Sequence, residues 1–271
     1  MNSNFLVTFT ALITTSAIAN VDDNIIHSQR IALDQNTIGL GFGPQSPRDI
    51  DNLTGKNSRN FSIAPEYHKM NLCNIHFHKN AEHKGGEFTE YAGNGNGKGY
   101  NTGYKYNGNL TATELKPFKN NFGIQSGDTI EVHYVHSTAQ VEPGATLNSC
   151  LSPSIANPQL RVEAQVYVLV NDKKASNFVQ LNEVEIKNGY YQALNIPDTT
   201  GTPIIYAGST TGPSYNEQGS PLQVTWSVRP NVIKVNIESV EKWLKNNPFD
   251  EDHAHGVRNL VTNPELLSSA H

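Results

Sequence analysis

The sequence predicts a single, mainly β domain whose strands run mostly antiparallel, and three observations carry that expectation. Apolar residues alternate with period two in several runs, turn-forming clusters separate those runs, and the 271 residues include 21 Gly, 14 Pro and 11 Tyr. On a strand, successive side chains point to opposite faces, so alternation marks a half-buried β element. It marks Leu72–His78, Thr129–His136, Leu160–Val170, Leu222–Val228 and Ile233–Ile237. Turns are expected at Ser126-Gly127-Asp128, Glu142-Pro143-Gly144 and Asn188-Gly189. One helix is predicted, Ile237–Asn246, stopped before Pro248. Ala92–Asn109 contains Ala-Gly-Asn-Gly-Asn-Gly-Lys-Gly-Tyr and has the spacing of neither a dinucleotide fingerprint nor a P-loop. It is expected to be a flexible surface insertion without regular structure. No repeat or linker divides the chain.

Composition narrows the function. Apolar residues make up 37% and charged residues 17%, which suits a globular chain rather than a disordered one. The formal charge of -5 and the lack of a basic stripe argue against nucleic acid as a partner. Phe5 to Ala17 is largely apolar and leads into Ala17-Ile18-Ala19, the small-x-small form of a signal-peptidase site. Residues 1–19 therefore read as a signal peptide and 20–271 as the mature domain. Ser and Thr dilute the run too much for a spanning helix, so no membrane span is expected in the mature chain. The expected location is periplasmic or secreted. An oxidising compartment suits the two cysteines, Cys73 and Cys150. Paired, they would close a loop worth about 4 kcal/mol on the chain-entropy model; two free buried thiols are the alternative.

Ten histidines are the compositional outlier. In Asn74-Ile75-His76-Phe77-His78, the two imidazoles share one face of a strand. Glu131-Val132-His133-Tyr134-Val135-His136 offers a third from a neighbouring strand, where His133 shares its face with Glu131 and Val135. His136 and Tyr134 point to the other face and read as packing residues. Three neutral imidazoles with a fourth position open to water are how proteins build catalytic zinc. Asn74 and Glu131 are placed to accept hydrogen bonds from the ligating rings and so fix their tautomers. Cys73 lies three residues before His76, so on a regular strand it points away from the metal.

Set in order, these pieces resemble a carbonic anhydrase. Gln45-Ser46-Pro47-Arg48-Asp49-Ile50 is similar to a segment near the start of the α-type enzymes, and His76-Phe77-His78, Glu82-His83 and Glu131-x-His133-x-Val135-His136 follow in the α-type order. Gly208-Ser209-Thr210-Thr211-Gly212-Pro213 and Val224-Thr225-Trp226 resemble the threonine loop and the strand after it. The short His78-to-Glu82 spacing, Cys73 before the histidine pair and the Ser-Thr-Thr-Gly-Pro-Ser-Tyr-Asn run are closer to the δ-type family. The resemblance implies a large, twisted, mostly antiparallel sheet with a few short helices. It also implies zinc-dependent, reversible hydration of CO₂ to bicarbonate by a zinc-hydroxide nucleophile.

Residue by residue, it implies zinc on His76, His78 and His133, and a hydrogen-bonded pair of Glu82 with Thr211, or with Thr210 if the loop is one residue shorter. His83 and Tyr206 would form a structural pair behind the site, and Val135, Val224 and Trp226 an apolar CO₂ pocket. The segment that carries the α-type proton-shuttle histidine has no counterpart here, which leaves His27, His68, His253 and His255 as the candidates for a relay. Position 210 is threonine where α-type enzymes place leucine.

Two other readings compete. His76-x-His78-x₃-Glu82 also satisfies the core of a cupin metal motif, in which Glu82 would be a ligand. A zinc-binding protein of the same fold without activity is the other.

Overall fold

The computed structural model describes residues 20–271; the expected signal peptide lies outside the described residues. Along the chain run helix α1 (Asp23–Gln35), strand β1 (Asn71–Lys79), the short strands β2 (Glu90–Tyr91) and β3 (Tyr104–Lys105), then β4 (Thr129–Ser137) and β5 (Leu160–Val170). A single helical turn, α2 (Phe178–Leu181), precedes the hairpin β6 (Val184–Lys187) and β7 (Tyr190–Ala193). The chain continues through β8 (Ile204–Ser209), β9 (Gln223–Val228), β10 (Ile233–Asn236) and α3 (Ile237–Lys245).

Six strands form the main sheet in the order β1-β4-β5-β9-β8, with β10 also on β5. β4 and β5 are buried along their whole length and form its middle. The sheet is mostly antiparallel, as expected, with two parallel pairings that make it mixed. β1–β4, β4–β5 and β8–β9 are antiparallel, but β9 and β10 both run parallel to β5. β9 lies along Arg161–Ala164 and β10 along Tyr167–Val170, so after a detour the chain resumes the same edge in the same direction. Alternation reports which face a side chain takes and is blind to strand direction, which the connections set.

The two faces carry separate cores. Ile75, Phe77, Ile130, Val132 and Tyr134 pack on one side with Phe178 and with Val240 and Trp243 of α3. That helix starts where the Asn236 side chain accepts from the Ser239 N–H, and it buries the apolar stripe that its sequence spacing predicts. Tyr134 and His136 are buried on this side, as packing residues should be. Val135, Val162, Val224 and Trp226 belong to the other face, with Cys73 and Cys150.

The cysteines are joined as a disulfide. The register of β1 on β4 shifts between Leu72 and Asn74, a bulge that puts Cys73 with the Val135–Trp226 cluster. The regular-strand parity assumed for Cys73 therefore does not hold; its sulfur is kept from a metal by the covalent bond to Cys150 instead.

The Gly/Asn-rich tract departs from expectation too. It contains β3, which pairs with β2, and Asn94, Thr102 and Tyr104 are buried. Asparagine side chains replace the missing ladder: Asn94 Nδ2 donates to the Val21 carbonyl at 2.9 Å and to Asp23 Oδ1 at 2.7 Å, which ties the tract to α1. The β6–β7 hairpin turns at Asn188 and Gly189, both with positive φ (54° and 81°), the geometry that Asn-Gly favours.

Candidate metal centre

His76 on β1 lies directly opposite His133 on β4, and His78 opposite Glu131. This register brings His76, His78 and His133 together, with one ligand atom from each within 4.8 Å of the others. Each ring is held by its other nitrogen. His76 Nδ1 lies 2.6 Å from Asn74 Oδ1. The Asn74 amide group donates to the Gly144 carbonyl at 3.0 Å, so its oxygen is the atom facing the ring and the ring must donate. His78 Nδ1 donates to the Gly256 carbonyl at 2.7 Å. His133 Nε2 donates to Glu131 Oε1 at 2.9 Å. Every ring thus spends its N–H on the protein and keeps a lone pair on His76 Nε2, His78 Nε2 and His133 Nδ1. His78 Nε2 is fully buried with no hydrogen-bond partner among the described residues. A buried, unpaired acceptor beside two others of its kind fits a bound cation.

Behind the three rings is a dense polar network. Glu131 also accepts from His83 Nδ1 at 2.7 Å and from the backbone N–H groups of Glu82 and His83 at 2.8 and 3.1 Å. Burial pushes its carboxyl up, but His83 and the donating His133 outweigh this and hold it well below the usual carboxylate range. His83 Nε2 lies 2.6 Å from the Tyr206 hydroxyl, so the expected pair is in contact. Burial lowers all three histidines, His78 to about 4, so the rings are neutral at pH 7.

Glu82 stands on the far side of these rings. Its oxygens lie 3.6 Å from His78 Nδ1 and 3.7 Å from His133 Nε2, the nitrogens already committed to protein acceptors. Glu82, Glu131 and His133 form a second close cluster, but Glu131 there is saturated with hydrogen bonds. A cupin-type role for Glu82 would need it beside the free nitrogens, and it is not there. Burial raises the Glu82 carboxyl, while the His133 ring and the Thr211 hydroxyl act to lower it. The Thr210 hydroxyl is engaged elsewhere, 2.6 Å from Ser220 Oγ.

The free nitrogens face a cavity of about 260 Å³ walled by Val135, Leu147, Leu160, Val162, Val224 and Trp226, with Thr211 at its side.

The sequence model of the Delta carbonic anhydrase family matches residues 67–239, well over half of the chain. The chain belongs to the delta carbonic anhydrase family. No curated protein sequence gives a significant match. Solved structures with some likeness include a hyperthermostable carbonic anhydrase from an active hydrothermal vent chimney (16% identical over 86% of this chain and 88% of that one, TM-score 0.29). Two others are the Photobacterium profundum alpha-carbonic anhydrase (16%, 82% and 88%, TM-score 0.28) and the Thermovibrio ammonificans alpha-carbonic anhydrase in complex with sulfanilamide (14%, 79% and 86%, TM-score 0.27). Membership rests on the family match and not on these distant superpositions.

In this delta carbonic anhydrase one cavity gathers several of the residues that the sequence singles out. Asn74, Val135, Val224, Trp226, Thr210 and Thr211 line the same cavity as the three histidines. Of the four relay candidates, only His255 lines it, with Nε2 2.6 Å from Glu251 Oε2. Sequence reading missed Gly256, because a backbone carbonyl leaves no side-chain signature. It also missed Arg258, whose buried guanidinium spans Gln45 Oε1 and the Ser46 carbonyl at 3.1 and 2.6 Å. The Gln-Ser-Pro segment was the available clue, since its buried polar atoms need a partner.

Proposed function

We propose that this protein is an exported zinc carbonic anhydrase that interconverts CO₂ and bicarbonate. The observation that carries the reading is the set of three converging histidine nitrogens, each left as a lone pair by a hydrogen bond on the opposite side of its ring. His76 and His78 would hold zinc through Nε2 and His133 through Nδ1, while Asn74, Gly256 and Glu131 orient them. Zinc held by three neutral donors supplies a Lewis-acidic centre that acidifies water, the chemistry established for carbonic anhydrases. Glu82 ionises more readily with a cation among the three histidines, and an ionised carboxylate can only accept hydrogen bonds. Thr211 would then donate its proton to Glu82 and turn its own oxygen toward the cavity as an acceptor. This gives the polar side of the site a single direction. Val135, Val224 and Trp226 would hold CO₂, which carries no charge and no donor.

Export is supported by the disulfide, which persists in oxidising compartments, and by the apolar N-terminal run. Among the described residues no helix is long and apolar enough to cross a membrane. Stopped-flow CO₂ hydration tests the activity, with zinc-loaded wild type against His76→Ala. Wild type is expected to be fast and the variant near the uncatalysed rate. Wild type carrying one zinc but no faster than the variant would leave a silent zinc-binding protein.

A further inference from the structure

His78 depends on a different kind of support from its partners, a backbone carbonyl outside the strands. The acceptor for His133 is a carboxylate fixed by three other donors, and the acceptor for His76 is an amide fixed by Gly144. The acceptor for His78 is the carbonyl of Gly256, in a stretch of chain without regular structure. Backbone contacts hold that stretch on two sides. On one side, the His255 backbone pairs with β1, its N–H on the Phe77 carbonyl at 2.9 Å and its carbonyl accepting from the Lys79 N–H at 3.0 Å. On the other, the Val257 N–H donates to the carbonyl of Gly99 at 2.7 Å.

Gly99 belongs to the Gly/Asn-rich tract. Its φ of +93° suits glycine, and the space around it admits nothing larger. A Cβ there would lie 2.4 Å from the Val257 carbonyl oxygen and 2.7 Å from Pro213 Cβ. Gly256 is matched to it, since a Cβ on that residue would meet the Gly99 oxygen at 2.8 Å. Two backbones touch because neither residue has a side chain. Pro213 lies two residues after Thr211, so the same glycine packs against the loop that carries the proposed threonine. The turn around Gly99 is closed by Asn96, whose Oδ1 accepts from the N–H groups of Lys98 and Tyr100 at 2.9 and 3.1 Å. The next residue, Tyr100, lines the cavity.

We propose that Gly99 is a positioning residue of the metal centre: it fixes the Gly256 carbonyl and through it the ring of His78, which makes the Gly/Asn-rich tract part of the site. The inference rests on the zinc reading above. Side chains that orient metal ligands typically change metal affinity about 10- to 100-fold when altered, and the same scale is expected for Gly99→Ala. Gly97→Ala is the control. It lies in the same tract with φ +71° but faces Val21 and Ile25, away from Gly256.

Zinc affinity is measured on the full mature chain by chelator competition, with Co²⁺ absorption as the probe of ligand geometry and thermal unfolding of the metal-free protein alongside. Gly99→Ala is expected to bind zinc at least about tenfold more weakly and to alter the Co²⁺ spectrum. Gly97→Ala is expected to lose stability while holding zinc within about twofold of wild type. Wild-type affinity in Gly99→Ala, or an equal loss in Gly97→Ala, overturns the proposal. If Gly99→Ala does not fold, Asn96→Ala opens the same turn without adding atoms. A fall of several-fold is then expected, and wild-type affinity overturns the idea. A wild type that takes up no zinc removes the zinc reading and this inference with it; a wild type that binds zinc beside unaffected variants removes only the inference.

Discussion

Glu131→Gln tests the network behind the histidines most directly. The carboxylate accepts from His133 Nε2, His83 Nδ1 and the backbone N–H groups of Glu82 and His83, at 2.7 to 3.1 Å. A glutamine has the same shape but only one acceptor oxygen. Whichever way the amide turns, its NH₂ faces two of those donors. Bonds to a charged acceptor contribute about 1.5–3 kcal/mol each, so losing two costs about 3–6 kcal/mol of stability. If the oxygen stays on the His133 side, metal binding suffers mildly; if the NH₂ takes that side, His133 is driven toward the wrong tautomer. A drop in zinc affinity of about 10- to 100-fold is expected in the second case and a smaller drop in the first. Denaturant unfolding of the metal-free protein and chelator competition for zinc measure the two effects. The carboxyl is held below its ordinary value of 4.5, so its contribution is complete above that pH and is lost as the pH falls through the folded value. Wild type and variant should therefore converge in acid. Equal zinc affinity in the two proteins would show that His133 needs no carboxylate to orient it, and the account of the site would fail.

Thr211→Val should lower CO₂ hydration about a hundredfold, the scale of one preorganised hydrogen bond, with zinc affinity unchanged; Thr211→Ser should keep most of the rate. Thr210→Val should affect the rate far less, because that hydroxyl is tied to Ser220, and the reverse ranking would reassign the threonine. Replacing Cys73 and Cys150 together by alanine removes a cross-link over 77 residues and should cost about 4 kcal/mol in chemical unfolding. An unchanged unfolding midpoint would refute that. His136 is buried, and burial pushes it down to about 3 from 6.5. A base lowered in the fold stabilises fully above pH 6.5 and loses that stability as the pH falls toward 3, up to about 5 kcal/mol. His136→Phe should flatten this acid limb in pH-dependent unfolding, and an unchanged slope would sink the reasoning.

What the sequence revealed divides along a physical line. Alternation located the strands that carry the site, and parity placed His76, His78 and His133 on one face, because side-chain direction on a strand follows from residue number alone. The helix α3 was legible from its apolar stripe and from Pro248. α1 was not: Asp22 caps it, but Ile25 and Ile31 are exposed and blur the pattern. β8 was missed because Ile204–Ser209 runs from half-buried to buried without alternating. The parallel placement of β9 and β10 depends on loop paths that no local pattern encodes. The bulge at Cys73 likewise defeats any argument that counts residues along a regular strand.

The placement of the site in the sheet explains why the supports Asn74 and Glu131 were legible and Gly256 was not. Among the described residues β1 is an edge strand of the main sheet with β4 as its neighbour there, so the three histidines come from one ladder with a fixed register. The open edge of β1 is met by the His255 backbone, and the cavity beside the histidines is walled in part by Thr146, Thr211 to Pro213, Gly256 and Tyr100 of the Gly/Asn-rich tract. The ladder sets the spacing of the lone pairs and, through Asn74 and Glu131, the protonation side of His76 and His133, while a loop carbonyl sets that of His78 and loops shape the approach. Substitutions in the ladder should therefore act on whether a cation binds at all. Substitutions in the loops should separate metal affinity from hydration rate, as a change at Thr211 and one at Gly99 are expected to do in opposite ways.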